Sequence, residues 1–297
     1  MKGLLIVNGY IRTPKFEEIT QLYKEAAGSY GVNLQVCYTD EIAYGMDDRG
    51  KLWVNVDVEE IGFVLFLDKD IVLAQHLETL GLRVFNTSAA IGVCDHKGMT
   101  MQALSGANIA MPKTIIAPLV FEGMYDEKQE DRYIRHIEEE LSYPLIVKEC
   151  YGSFGMQVYK IEDTEALVQL RSRIAHKPHL YQAYVASSEG KDVRIHVVGD
   201  KVVASMLRVN EHDFRANITN GGKMIAYSPS KAFEEMAVKV CKVLKVDFAG
   251  VDLMFGEAGE PLLCEVNSNA HIKNILDLTG INIAEKIMAY ILKEVTK

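Results

Sequence analysis

The chain has 297 residues, of which 48% are hydrophobic and 25% are charged, and its formal net charge is −9. A chain of this length can bury a sizeable core and form two or three domains. The negative charge argues against nucleic acid held by a general basic surface, but it does not exclude a basic protein or peptide as substrate.

The cysteines and the first residues predict where the protein works. The five cysteines are scattered and odd in number, and four of them lie in apolar stretches. They predict reduced core thiols in a cytoplasmic protein and not a disulfide framework. Met1–Val7 is too short for a signal sequence, and no apolar run approaches the length of a membrane span. We therefore expect no membrane partner.

The first 88 residues alternate strands with helices. Apolar runs predict strands at Gly3–Val7, Leu34–Tyr38, Ile61–Leu67 and Leu82–Phe85, with helices after Phe16 and over Ile71–Leu80. This order predicts a small parallel α/β domain over residues 1–88. The segment NGYIRTPK after the first strand contains one glycine, so a Rossmann-type dinucleotide site is not expected.

Residues 89–185 predict a second unit. Ser88 or Asp95 could cap a helix that runs to about Leu104, and the charged stretch Asp126–Glu140 predicts a surface helix. Further elements are predicted as strands at Pro144–Glu149, Gln157–Ile161 and Leu180–Tyr184, with a helix over Thr164–Ile174.

Residues 186–297 are strand-rich at first. Gly199-Asp200 between two alternating runs, Asp192–Val198 and Lys201–Arg208, indicates a hairpin. Amphipathic helices are predicted over Ser230–Lys245 and Asn282–Val295.

Between these helices, Phe248–Phe255 and Pro261–Asn267 read as two apolar strands joined by a turn. Side chains alternate along a strand, so Asp252, Glu265 and Asn267 can share one face. Two carboxylates and an amide oxygen form an all-oxygen ligand set, which suits Mg²⁺. The alternative is that each acid lies at a strand edge, but ionised groups inside apolar strands are costly unless they are paired or bind metal.

Four other places could carry chemistry. Lys148 ends an apolar strand, and the loop after it carries Gly152, Ser153 and Gly155, so backbone N–H groups could approach a phosphate. A hairpin turn with an exposed lysine is an equally good interpretation. The GxxxxGK[ST] spacing of a P-loop is absent from the chain.

Asp192 and Arg194 begin a strand and share one face, so they could pair with each other on the surface or line a cleft. Arg208, Arg215 and Asn217 belong to a basic, polar stretch that suits polyphosphate, although a solvated loop is the competing interpretation. A lone helical lysine such as Lys97 is most often only solvated.

The order of these parts, together with KDVRIHVVGDKVVASMLR, HDFRANITNGG and AGVDLMF…LLCEVNSN, resembles the ATP-grasp superfamily. The likeness is closest to the RimK-like branch of α-L-glutamate ligases and covers roughly Asn86 to the C-terminus. It implies an α/β and α+β ATP-grasp fold with a first α/β domain over 1–88. A central subdomain over 89–185 and a C-terminal subdomain over 186–297 would grip ATP.

The resemblance also implies a role for each matching residue. Lys97 and Lys148 would bind the ATP phosphates, under a lid that contains Gly152, Ser153 and Gly155. Adenine would be bound by the hinge residues Gln182, Ala183, Tyr184 and Val185. Asp192 would bind the ribose, and Arg194 would frame the cleft. Arg208, Arg215 and Asn217 would face the γ-phosphate and an acyl phosphate. Asp252, Glu265 and Asn267 would hold one or two Mg²⁺ or Mn²⁺ ions, with Asn269 behind them.

This chain departs from the family pattern at two places. Ala183 stands where the family often has Glu before the hinge aromatic, so a side-chain contact to the nucleotide is missing. Asn269-Ala270-His271-Ile272-Lys273 replaces the usual continuation with Pro-Gly, in the segment that faces the acceptor. His271 and Lys273 are predicted to form part of the acceptor pocket.

The implied function is ATP-dependent ligation of a carboxylate to an amine through an acyl phosphate, with an amino acid such as glutamate added to a small molecule, peptide or protein. The alternatives are a carboxylate kinase and an ATP-binding regulatory module, and the metal residues argue against the second. A two-lobed periplasmic-type binder is disfavoured by the missing signal sequence. The resemblance is compatible with a homo-oligomer.

Overall fold

The computed structural model describes the backbone of residues 1–297 and the side chains of residues 1–126 and 129–297. Within these residues, three sheets of four or five strands follow one another along the chain. The boundaries 1–88, 89–185 and 186–297 remain predictions.

The first sheet is parallel, with strand order β2-β1-β5-β6. Its elements are β1 (Lys2–Val7), α1 (Pro14–Ser29), β2 (Asn33–Tyr38), β5 (Ile61–Leu67), α2 (Ile71–Thr79) and β6 (Val84–Phe85). The parallel α/β arrangement predicted from the alternating pattern is therefore confirmed. Between β2 and β5 in the sequence, β3 (Tyr44–Met46) and β4 (Leu52–Val54) form a separate antiparallel ribbon, which was not predicted.

Two helices, α3 (Ser88–Asp95) and α4 (Lys97–Ala103), replace the single helix predicted up to Leu104. The predicted caps are wrong. Thr87 caps α3 by accepting from the Ala90 N–H, and His96 caps α4 by accepting from the Met99 N–H. The Ser88 hydroxyl donates instead to Glu78, and Asp95 pairs with Lys69, so neither side chain is free to cap.

The second sheet is antiparallel, with strand order β7-β10-β8-β9. Its elements are β7 (Thr114–Ile116), α5 (Glu127–Glu140), β8 (Leu145–Glu149), β9 (Val158–Ile161), α6 (Thr164–Ile174) and β10 (His179–Ala183). Apolar residues of α5 and α6 bury one face of this sheet. The opposite face is turned towards the cleft described below.

The third sheet is antiparallel, with strand order β13-β12-β11-β14-β15. Its elements are β11 (Lys191–Val198), β12 (Lys201–Val209), β13 (Lys223–Ala226), α7 (Lys231–Leu244), β14 (Phe248–Phe255), β15 (Pro261–Asn267), α8 (Lys273–Thr279) and α9 (Ile283–Val295). Both predicted hairpins, β11–β12 and β14–β15, are confirmed. The edge strand β13 and the short helix α8 were not predicted.

The two faces of the third sheet differ in chemistry. One face is apolar along its length and packs on α7, through residues such as Val193, Ile195 and Val251. The other face is divided along the strands. Its one end, including Val198 and Phe248, packs with α9 and the first sheet in a shared core, and its other end carries the charged residues of the cleft.

The five cysteines are free thiols in the described structure, four of them buried and Cys264 partly exposed. Burial raises the pKa of Cys94 to about 12, as expected for an inert core thiol. Among the described residues, no helix is both long enough and apolar enough to cross a membrane.

Asn86 ties the end of the first sheet to the third sheet. Its side-chain Nδ2 donates to the carbonyls of Phe248 (2.9 Å) and Ser268 (3.0 Å), and its Oδ1 accepts from the Asp247 N–H (2.6 Å). Asn86 is almost fully buried, so water cannot easily replace its hydrogen bonds to these backbone groups.

We expect Asn86→Ala to lower the free energy of unfolding by about 2–4 kcal/mol, because buried backbone groups would lose their partners. Denaturant unfolding followed by circular dichroism measures this loss. Asn33→Ala, at an exposed asparagine, is the control and should change the value by less than about 0.5 kcal/mol. Equal effects of the two substitutions would contradict the bridging role.

Candidate active site

A buried ion-pair network crosses the charged end of the third sheet. Strand register places Asp192 opposite Arg208, and Arg194 opposite Asp252. Asp252 accepts from Arg194 Nε (2.7 Å) and Nη2 (2.6 Å), and from Arg208 Nη2 (2.8 Å). Arg208 also makes two hydrogen bonds of 2.6 Å to Asp192. A surface pair between Asp192 and Arg194, one of the two interpretations of that segment, is therefore wrong.

Charge and burial compete in this network. Burial alone would raise the pKa of Asp252, which is fully buried, but the guanidinium groups of Arg194 and Arg208 hold it below its usual range. Burial also raises the pKa of Asp192, and Arg208 opposes that rise. The arrangement is a chain of charges that compensate one another away from water.

Two predicted metal ligands adjoin Asp252 on β15. Glu265 lies opposite Asp252 in the register, and Asn267 lies opposite Gly250. The Asn267 amide donates to Glu265 Oε1 at 3.2 Å. The described residues contain no group of three or more His, Cys, Asp or Glu side chains suited to a metal ion, so a site here would combine two carboxylates with an amide oxygen.

Lys97 and Lys148 face the same space from α4 and β8. Each is only 8% exposed, so the solvated-lysine interpretation of Lys97 is wrong. Lys97 Nζ donates to the Gly152 carbonyl at 3.3 Å, and Lys148 Nζ lies 3.8 Å from Cys264 Sγ. Burial lowers the pKa of Lys97, and the charge of Glu265 opposes this. Both ammonium groups are thus held where an anion would relieve their desolvation.

The lid, defined as residues 152–156, is held mainly through its backbone. The carbonyl of Gly155 accepts from Arg215 Nη1 at 2.7 Å, and that of Phe154 accepts from Thr219 at 3.2 Å. Gly155 has a φ of +72°, and a Cβ there would lie 2.6 Å from Asn217 Oδ1. The loop therefore needs glycine at this position for both backbone conformation and space.

A cavity of about 890 Å³ lies between the second and third sheets. Apolar walls come from Ile146, Val158 and Met254, and the hinge, residues 182–185 at the end of β10, is part of the lining. Fifteen predicted site residues line it: Lys97, Lys148, Gly152, Ser153, Gly155, Gln182, Ala183, Tyr184, Val185, Asp192, Arg208, Arg215, Asn217, Asp252 and Glu265. The lysines lie towards the lid, and the hinge supplies a narrow apolar slot, so the cavity has the form of a nucleotide site.

A second cavity, the acceptor chamber, of about 1210 Å³, lies between the first sheet, the lid and β15. It shares Ser153, Arg208, Asn217 and Glu265 with the nucleotide cavity, so the two spaces meet at these residues. The two remaining predicted site residues, Arg194 and Asn267, line this chamber, as does Asn269.

Of the two residues predicted for the acceptor pocket, only His271 lines the chamber. Its ring packs against Phe16 (5.0 Å between centroids) and Phe154 (5.6 Å), and burial lowers its pKa to about 4. Lys273 does not line the chamber, and its ammonium pairs with Asp277 on α8 and with Glu18 on α1.

The chamber also contains residues of the first domain that the sequence analysis missed, among them Asn8, Phe16 and Asp68. Asn8 and Asp68 directly follow β1 and β5. The carboxyl ends of parallel strands meet at one edge of a sheet, so a polar residue after each apolar run was the available signal.

Comparison with known proteins identifies the family. A family model described as the RimK-like ATP-grasp domain matches residues 94–291. The chain belongs to this family. It is therefore an ATP-grasp ligase, an enzyme that uses ATP to join a carboxylate to an amine, and the family uses ATP with Mg²⁺.

Several relatives of this RimK-like chain are similar over most of its length. An uncharacterized protein of Mycoplasma pneumoniae is 33% identical over 92% of each chain. A Mannheimia succiniciproducens protein named "Probable alpha-L-glutamate ligase" is 31% identical over 74% of this chain and 71% of its own. Human N-acetylaspartylglutamate synthase A is 34% identical over 68% of this chain, which spans about half of that relative.

Solved structures confirm the ATP-grasp fold. The RimK domain protein of Sphaerobacter thermophilus superposes with a TM-score of 0.71, covering 98% of this chain and 100% of that one at 18% identity. The ATP-grasp ligase PsnB, complexed with minimal precursor, Mg and ADP, superposes with a TM-score of 0.68, covering 98% of this chain and 97% of that one at 16% identity.

We expect Gly155→Ala to raise the KM for MgATP several-fold, because the added Cβ would displace the lid from Asn217. The control is Gly106→Ala, which also has a positive φ (+74°) but no atom within 4 Å of the added Cβ. Both variants should lose about 1 kcal/mol of stability from the backbone conformation. An unchanged KM in Gly155→Ala, measured by initial-rate kinetics, would contradict this role of the lid.

Proposed function

We propose that this ligase activates a substrate carboxylate as an acyl phosphate and transfers it to the amino group of an amino acid, with L-glutamate the first candidate. The observation that carries the proposal is the junction of the nucleotide cavity and the acceptor chamber at Ser153, Arg208, Asn217 and Glu265. A γ-phosphate from one side and a carboxylate from the other would meet there. The names of the Mannheimia and human relatives, which both contain glutamate, support that choice of amino acid.

The nucleotide cavity supplies groups for each part of ATP. The hinge Gln182, Ala183, Tyr184 and Val185 would hold adenine, since Ile146 and Met254 provide apolar walls beside it. Asp192 would bind the ribose with the lone pairs left by its bonds to Arg208. Lys97, Lys148 and the lid residues Gly152, Ser153 and Gly155 would bind the phosphates.

The residues at the hairpin fit one or two Mg²⁺ or Mn²⁺ ions. Their donors are carboxylate and amide oxygens, which hard divalent cations prefer. Glu265 and Asn267 contact each other, and Asp252 Oδ1, which accepts one hydrogen bond from Arg194, keeps a lone pair, whereas Oδ2 already accepts from both Arg194 and Arg208. Bound metal would neutralise part of the charge on the ATP phosphates.

Activation brings a carboxylate and a polyphosphate together, so positive charge is needed to offset their repulsion. The carboxylate oxygen attacks the γ-phosphorus, the bond to the β-phosphate oxygen breaks, and ADP leaves. Arg208, Arg215 and Asn217 would face the transferred phosphoryl group, while Arg194 frames the cleft through Asp252.

Transfer follows when the amine nitrogen attacks the acyl carbon, the bond to phosphate breaks, and the nitrogen loses a proton. Because acyl phosphates hydrolyse readily, water must be excluded at this stage. The lid contacts with Arg215, Thr219 and Lys97 place the loop over the junction of the two cavities. This scheme does not require a covalent intermediate with a residue of the enzyme.

We expect ADP release from MgATP only when a carboxylate and an amine are both present, with a new amide mass in the product. Mixtures of small carboxylic acids or short peptides with single amino acids, L-glutamate first, supply the test, read by coupled ADP assay and mass spectrometry. ADP release with a carboxylate alone, and no amide in any mixture, would favour a carboxylate kinase.

We expect Glu265→Gln to abolish most ADP release while the protein keeps its fold, because the variant loses one of the two carboxylates at the hairpin. Circular dichroism and thermal unfolding check the fold. Glu257→Gln, at an exposed glutamate in the turn of the same hairpin, should retain full turnover. Wild-type turnover in Glu265→Gln would remove the metal assignment.

A further inference from the structure

The acceptor chamber has one wall that belongs to the first sheet. Asn8 and Asp68 directly follow the carboxyl ends of the neighbouring parallel strands β1 and β5, and both line the chamber. Glu265 and Asn267 line the same chamber from β15. A substrate in the chamber would therefore contact the first sheet and the activation site together.

Asp68 has an unusual environment for a carboxylate. It is only 7% exposed, and its Oδ1 accepts from the backbone N–H groups of Lys69 and Asp70, the latter at 3.1 Å. Its Oδ2 is buried and has no hydrogen-bond partner among the described residues. An unpaired polar atom of this kind is costly in a folded protein and calls for an explanation.

Neither lysine of the chamber wall pairs with Asp68 in the described structure. Lys69 Nζ pairs with Asp95 and donates to Ser153, and Lys15 Nζ donates to Asn274 Oδ1 at 2.9 Å. Burial raises the pKa of Asp68, while the backbone N–H groups of Lys69 and Asp70 and the nearby side-chain amide of Asn8 lower it. None of these groups lies within hydrogen-bonding distance of Oδ2, so that oxygen faces the chamber without a partner among the described residues.

The chamber also carries groups of opposite charge. The Arg194 guanidinium bonds Asp252 through Nε and Nη2, which leaves its Nη1 for the chamber, and Lys15 forms part of the wall. A wall that offers a carboxylate at one place and cationic N–H donors at another matches a molecule with both an ammonium and a carboxylate. Free α-amino acids have this chemistry.

We propose that Asp68 binds the amino group of the amino-acid substrate, with Oδ2 accepting a hydrogen bond from it. The proposal rests on the ligase function proposed above and adds a role for the first domain. The hydrogen bond to Oδ2 fixes the amino group in the chamber, where its nitrogen attacks once it has lost the ammonium proton. The N–H groups of Arg194 and Lys15 donate to the substrate carboxylates. Selection for a zwitterionic amine then depends on a residue outside the ATP-grasp part of the chain.

Asp68→Asn is a close test of this role. Asparagine keeps the size of the side chain and the Oδ1 acceptor for the N–H groups of Lys69 and Asp70, and it replaces only the unpartnered oxygen and the charge. If Asp68 served only to shape the turn between β5 and α2, the variant would behave as wild type or unfold more easily. If it binds the amine, the fold should remain at least as stable.

The experiment separates carboxylate activation from amine binding. Hydroxylamine traps the acyl phosphate as a hydroxamate without the amino acid, and the full reaction uses the amino acid that gives the most ADP in the screen above. We expect Asp68→Asn to raise the KM for that amino acid about ten- to a hundred-fold. Hydroxamate formation, the KM for MgATP and the melting temperature should stay at wild-type values or, for the last, rise.

The control is Asp48→Asn, at an exposed residue in the turn between β3 and β4, which should leave every parameter unchanged. An unchanged KM for the amino acid in Asp68→Asn would overturn the proposal. A wild-type protein that forms hydroxamate but uses none of the free amino acids as its amine substrate would overturn it as well. Absence of hydroxamate from the wild-type protein with every carboxylate would instead overturn the proposed function and with it this role of Asp68.

Discussion

Ionised side chains on a buried sheet face must be paired, and the active cleft follows from how this chain meets that requirement. Asp252 is fully buried between Arg194 and Arg208, and Arg208 reaches Asp192 on the next strand. Each pair repays part of the desolvation cost of its members. The strand register, fixed by the β11–β12 and β11–β14 pairings, sets which charges meet. Removing one member would leave its partner charged and uncompensated, so the network constrains β11, β12 and β14.

The position of the cleft follows from the division of that same face. Val198, Ala204 and Phe248 occupy its apolar end and share a core with α9 and the first sheet. The first sheet is thereby held at one end of the third sheet, and Asn86 adds polar contacts at the seam. The charged end stays open towards the carboxyl edge of the first sheet. Packing at one end of the strands therefore creates the chamber at the other end.

Local patterns predicted much of this from sequence. The β11–β12 hairpin was predictable from the alternating runs on either side of Gly199-Asp200. The β14–β15 hairpin was predictable from two apolar runs joined by a turn, each with an acidic residue inside it. The partner of Arg194 was not predictable, because Asp252 is 58 residues away and the choice depends on strand order. Edge strand β13 is only four residues long, which is too short to show a period. Thr87 and His96 cap their helices because Ser88 and Asp95 bind distant side chains. Asp68 was missed because its burial depends on elements of two other sheets.

The lid shows how attachment and selectivity can be encoded in different atoms. Its contacts to Lys97, Thr219 and Arg215 are received by main-chain carbonyls at Gly152, Phe154 and Gly155. Main-chain carbonyls are present whatever the side chain, so these three hydrogen bonds do not depend on which side chains lie between the two glycines. None of these three bonds uses the Phe154 ring, which packs against His271 in the acceptor chamber. Relatives could therefore change the side chains of the lid, and with them their substrates, while the hydrogen bonds that attach the lid stay the same.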